Sequence, residues 1–240
     1  MIYNLQTFGM KPPFGVTMPW RAGYSDAMKA ILALVLGLTL AALAVPAAAR
    51  DVAGRFDYYV LSLSWSPTWC ATDGQTGDNA QCDTGRRTAF VVHGLWPQYE
   101  RGWPADCATT ERPPSRRQTQ AMADIMGSGG LAWYQWNKHG RCAGLSAADY
   151  FQTVRDAAAV ATVPEVLRRL PRDVTLSKAV IEDAFIDANP DMTRDGITVS
   201  CQGPRLDEVR ICLTRDLKPR ACAPDAQRDC SRTMLLEAPR

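Results

Sequence analysis

Residues 88–98 read TAFVVHGLWPQ, an apolar, β-branched run that arrives at His93, a glycine and a Trp-Pro step. Its composition predicts a buried strand over TAFVVHG, 88–94, with the histidine at its C-terminal end. A partner strand lies upstream in RFDYYVLSLSWS, 55–66, where apolar and polar residues alternate and Pro67 follows to end it. Helical spacing then takes over. Ser115 to Met126 has a polar cap at its start and the Gly-rich GSGG (127–130) as a stop, and WYQWNKHGRC, 133–142, predicts a short helix closed by a left-handed Gly140. Ser146 caps an amphipathic stretch through Val160, Pro164 starts a brief helix through Leu170, and Ser177 caps a third through Ala188. From Gly196 the period returns to two: ITVSC (197–201) and EVRICL (208–213) flank Gly203-Pro204 as a hairpin. Strands at both ends with helices between predict an α+β fold, a central antiparallel β-sheet with several helices packed on it.

The chain has 240 residues, enough for one well-buried domain. With 46% hydrophobic and 22% charged residues it is neither disordered nor fibrous. Its 27 Lys and Arg face 25 Asp and Glu, so the net charge of +2 excludes the strongly basic balance of a non-specific nucleic-acid binder. Any polyanion must be recognised by local site chemistry.

Residues 28–49 begin Met-Lys, continue with an apolar run from Ile31 to Val45 and end on Ala47-Ala48-Ala49, the pattern of a secretory signal peptide. The run is short for a membrane span of about 20 residues and is broken by Gly37 and Pro46. The expected division is therefore 1–27, an N-terminal extension or mis-assigned start; 28–49, the signal peptide; and 50–240, the mature domain. That domain is expected to be secreted or periplasmic, monomeric and off the membrane after cleavage. All eight cysteines lie in it, an even number in an oxidising compartment, which predicts four disulfides. No two cysteines stand two to four apart and the chain has only two histidines, so neither a metal nor a cofactor is expected.

Those two histidines, His93 and His139, are each followed by glycine and flanked by tryptophan. Glycine permits close approach of a ligand to the backbone, and aromatic rings offer stacking surfaces for bases. On a helix, Gln135, Lys138 and His139 stand at i, i+3 and i+4 and share a face. Cleavage of RNA calls for such a set: a base for the 2′-OH, an acid for the leaving 5′ oxygen, and a cation for the charge on the phosphorane. Histidine suits both proton roles because its ordinary pKa is near 6.5.

HGLWP at 93–97 and WYQWNKHGRC at 133–142 resemble the paired active-site motifs of the ribonuclease T2 family, the secreted acid ribonucleases; the second motif is usually HEWxKHGTC. LSLSWSPTWC (61–70) is similar to that family's first core strand, and the C-terminal cysteine pattern also matches, so the resemblance covers roughly residues 56–230. It implies a disulfide-stabilised α+β fold and an endonuclease that cleaves single-stranded RNA without metal, through a 2′,3′-cyclic phosphate to 3′-phosphate ends. It implies His139 as the base and His93 as the acid, with Lys138 and Gln135 beside them. Tyr134 is expected to touch phosphate, and Trp96, Tyr99 and Trp103 to stack on a base. It also implies the bridges Cys70 to Cys82, Cys107 to Cys142, Cys201 to Cys230 and Cys212 to Cys222. Trp133 and Trp136 are read as core. Tyr134 and Gln135 replace the motif's His-Glu, and this departure leaves as the alternative a catalytically weakened member acting as an RNA- or protein-binding module.

Overall fold

The structure, a computed structural model, describes residues 51–74, 80–83 and 85–240. The expected extension and signal peptide, 1–27 and 28–49, lie outside the described residues. Strand β1, Tyr58–Trp65, is buried on both faces, as a central strand must be. Pro67 does more than end it: it sits in the first turn of helix α1, Ser66–Thr72, where its missing N–H costs nothing. Strand β2, Phe90–Gln98, pairs antiparallel with β1 and runs four residues past the expected end at Gly94. Pro97 is tolerated within it because β2 is the edge of the sheet.

The helices follow. The stretch expected as one helix from Ser115 is two, α2 (Arg116–Ala121) and α3 (Ala123–Met126), meeting at Met122. Ser115 forms a full capping box with Gln118, and Gly127 at φ +82° ends α3. Gly129 and Gly130 are not a stop, because Ser128 accepts from Leu131 N–H and caps α4, Gly129–Lys138, which therefore starts four residues before Trp133. Gly140 is not the left-handed residue either: a 3-10 turn, Gly140–Ala143, follows α4, and Gly144 takes φ +72°. Helix α5, Ala147–Val160, is capped by Ser146; short α6, Glu165–Arg168, follows Pro164; α7 is Lys178–Ala188.

Strand β3, Val174–Leu176, precedes α7, and after it come β4 (Ile197–Gln202), β5 (Arg205–Leu213) and β6 (Met234–Leu236). The order is β2-β1-β5-β6-β3 with β4 also on β5. The sheet is antiparallel except where β6 meets β5 in parallel at Arg205 and Leu235. Gly203, at φ +58°, turns the β4–β5 hairpin.

Alternation gives the sheet two different faces. Leu61, Leu63, Leu95, Val209, Ile211 and Leu213 form the main core with Trp136 of α4, Tyr150 and Phe151 of α5 and Phe185 of α7. The other face carries a smaller cluster, Tyr58, Val60 and Cys212 under Cys222 and Ala223, with Trp96 packed against it. Disulfides join Cys70 to Cys82, Cys107 to Cys142, Cys201 to Cys230 and Cys212 to Cys222. Among the described residues no helix is long and apolar enough to cross a membrane.

Candidate active site

The smaller-cluster face carries the chemistry. The β1–β2 register pairs Ser62 with Gly94 and Leu63 with Val92, so His93 is the extra residue of a β-bulge. A bulge re-aims a side chain that a regular strand would hold in line. Beyond β1 lies β5, whose Glu208 and Arg210 stand opposite Ser64 and Ser62. These two serines are small enough for the His93 ring to reach across, and its Nδ1 makes a very short contact with Glu208 Oε1. The His93 side chain is 34% exposed and that of Glu208 only 4%. Burial by itself would raise the Glu208 carboxyl. The His93 hydrogen bond and charge, together with those of Arg210, outweigh burial and hold it at about 2. Arg210 contributes through Nε at 2.8 Å and Nη2 at 2.7 Å from Glu208 Oε2.

The second histidine arrives from the other direction. His139 ends α4, and its N–H still bonds Gln135 O, so the helix sets its position. Gly140 beside it has no alternative, because a Cβ there would lie 2.5 Å from the Tyr150 ring, which is buried with its hydroxyl on Leu95 O. The bridge from Cys142 to Cys107 and a bond from Asp106 N–H to Lys138 O tie this corner to the loop after β2. His139 is pushed down to about 4, first by burial and then by the charges of Lys138 and His93, against a weaker pull from Asp106. Its Nδ1 is buried and finds no acceptor among the described residues, so nothing there favours the charged ring.

Trp96 packs against both imidazoles, its ring centroid 5.4 Å from each, edge-on to His93 and tilted against His139. Its Nε1 donates to Gln135 Oε1 at 2.7 Å, and Arg210 lies over its ring at 5.1 Å. Gly94 allows this packing, since a Cβ would come 2.4 Å from Trp96 Nε1 and 2.5 Å from Gln135 Oε1. A cleft of about 260 Å³ opens beside His139, and Lys138, Trp96, Trp103 and Arg210 are among the residues that line it.

The expected site residues thus divide. His139, Lys138, Trp96 and Trp103 line the cleft together, while His93 is not part of its lining and meets it through the Trp96 ring. Gln135 is buried beneath Trp96 and does not line the cleft. Tyr99 turns away, its hydroxyl donating to Asp51, and Tyr134 is half exposed on α4 outside the cleft lining. Trp133, read as core, is 52% exposed, while Trp136 is buried as expected. Glu208 and Arg210 were missed. Their signal was present: EVRICL places Glu208, Arg210 and Cys212 on one face and three aliphatics on the other, but only the sheet order shows both faces to be covered.

By fold the molecule is of the class seen in an RNase-related protein from Calystegia sepium, with a TM-score of 0.61 at 21% identity over 78% of this chain and 99% of that one. The sequence model of the ribonuclease T2 family matches residues 56–222, and the chain belongs to that family. It is 43% identical over 130 residues to a ribonuclease of Aeromonas hydrophila, covering 54% of this chain and 57% of the relative. A probable ribonuclease of Haemophilus influenzae is 32% identical over 136 residues, covering 49% and 47%. The chain thus spans about half the length of these curated relatives.

Proposed function

We propose that this chain is an endoribonuclease that cleaves single-stranded RNA by attack of the 2′-OH on the adjacent phosphorus. The observation that carries this reading is the pair of histidines that both pack against Trp96, one bonded through Nδ1 to the Glu208 carboxylate and the other buried beside Lys138. His139, neutral above about pH 4, takes the 2′-OH proton. His93 gives its proton to the departing 5′ oxygen, with Glu208 fixing its ring through Nδ1 and leaving Nε2 for the substrate. Lys138 and Arg210 face the charge that grows on the phosphorane. The product is a 2′,3′-cyclic phosphate, which water opens to a 3′-phosphate with the two histidines exchanging roles. Two imidazoles supply both proton transfers, so the reading calls for no metal. DNA lacks the nucleophile and is not a substrate.

Within this reading Gln135 and Trp96 position the histidines rather than touch the reacting atoms. Residues 28–49 act as a signal peptide, and the domain works as a monomer in a secreted or periplasmic setting; the disulfides and the completeness of the site within one chain support this. Replacing His93 or His139 by alanine is expected to lower kcat/KM on RNA at least about 100-fold. Full activity in either variant would remove the assignment.

A further inference from the structure

Away from the histidines, the chain end meets the segment that leads into β2. Strands β3 and β6 pair antiparallel with Val174 opposite Leu236, which brings Arg172 and Asp173, just before β3, beside Ala238 to Arg240, just after β6. Arg87 N–H donates to Arg240 O at 3.2 Å and fastens the two segments. A cleft of about 580 Å³ results, with Arg87, Arg172, Arg240 and Asp173 in its lining. Arg87 also lines the adjoining cleft, with Phe90 at the start of β2 and Glu165 and Arg168 of α6.

The charge here is one-sided. The whole chain has 27 basic against 25 acidic residues, yet these two clefts set four arginines against two carboxylates. Both carboxylates are already committed. Asp173 accepts from Ala238 N–H at 2.9 Å through Oδ1 and reaches Arg240 Nη2 at 3.7 Å through Oδ2, and Glu165 pairs with both Arg168 and Arg169. Arg87 and Arg172 are exposed, and neither makes an ion pair with a described residue. Arg87 also holds φ +53°, a conformation uncommon for a residue with a side chain and one that clusters at sites of function.

We infer that Arg87 and Arg172 form a phosphate-binding site that holds the RNA strand away from the point of cleavage. Guanidinium forks match phosphate oxygens and stay charged at every working pH. Arg87 stands six residues before His93, a span of at most about 22 Å, so a dinucleotide cannot reach both and a longer strand can. The inference rests on the ribonuclease reading, since RNA is the polyanion which that chemistry brings to the protein.

Arg87→Asn combined with Arg172→Gln removes both charges, and asparagine tolerates the positive φ. On a dinucleotide, whose single phosphodiester sits at the histidines, the double variant is expected to match the wild type. On an RNA of about 20 nucleotides at low salt its KM should rise about tenfold with kcat unchanged, and the salt slope of log(kcat/KM) should flatten by about 1.4, the value for two lost phosphate contacts on a single strand. An equal loss on both substrates, or an unchanged KM and salt slope on the longer one, would overturn the site. Fluorescence anisotropy of a 2′-O-methylated oligomer of the same length, which keeps the phosphates and lacks the nucleophile, separates the two ideas. If neither RNA is cut, the ribonuclease reading fails, while weaker oligomer binding by the double variant still supports the site and equal binding rejects it. Equal oligomer binding together with lost binding to phosphatidylglycerol vesicles would assign the arginines to a lipid surface and reject the RNA site.

Discussion

Burial and the neighbouring Lys138 ammonium hold His139 near 4, and under the proposed mechanism, with His139 as the base, this would set the acid side of the pH–rate profile. A general base works unprotonated, so kcat/KM is expected to stay high as pH falls through 6.5 and to drop only near 4. Lys138→Met removes a charge that lowers His139, so the acid limb should move upward, while burial keeps it below 6.5. A pH profile on a dinucleotide reads this directly, and a limb that stays in place would show that Lys138 does not set it. The sequence already pointed to this logic, because the motif's usual glutamate is Gln135 here and no carboxylate at that position neutralises Lys138. What it hid was the use of Gln135. Its amide oxygen is spent on Trp96, a contact between residues 39 apart that no spacing rule reveals.

The elements place these groups by two close approaches. Strand β2 was legible as a strand but not as a nine-residue one, since an edge position excuses Pro97 and sheet order cannot be read from the run itself. The bulge at His93 was equally hidden, because it is a property of the β1–β2 register and not of either strand alone. Helix α4 was found, but its start was set late by reading Gly129-Gly130 as a stop when the Ser128 hydroxyl caps it. Its end depends on Gly140. Gly140→Ala would drive a methyl into the buried Tyr150 ring, and a loss of about 1–3 kcal/mol in denaturant unfolding is expected, with reduced activity from the displaced His139 next to it. Unaltered stability would mean that Tyr150 has room to move.

At the scale of the whole molecule, two groups tie stability to pH. His139 has a folded pKa of about 4 against an ordinary 6.5, so its contribution is complete above 6.5 and is lost as pH falls through 4. Glu208, at about 2 against 4.5, contributes fully above 4.5 and loses its share as pH falls toward 2. Thermal unfolding is expected at progressively lower temperature across both windows. A His139→Asn protein should lose the upper part of that dependence, and an unchanged curve would show that His139 titrates normally. The α+β class and the even cysteine count were legible because they depend on composition and order along the chain. The three-residue strands β3 and β6 were not, since their pairing is decided by distant residues. The central claim, that two histidines move the protons of a 2′-OH attack, is tested most directly by digesting RNA in EDTA and analysing the ends. The account predicts 2′,3′-cyclic phosphates maturing to 3′-phosphates, with DNA intact. Loss of activity in the chelator, 5′-phosphate ends, or equal cutting of DNA would contradict it.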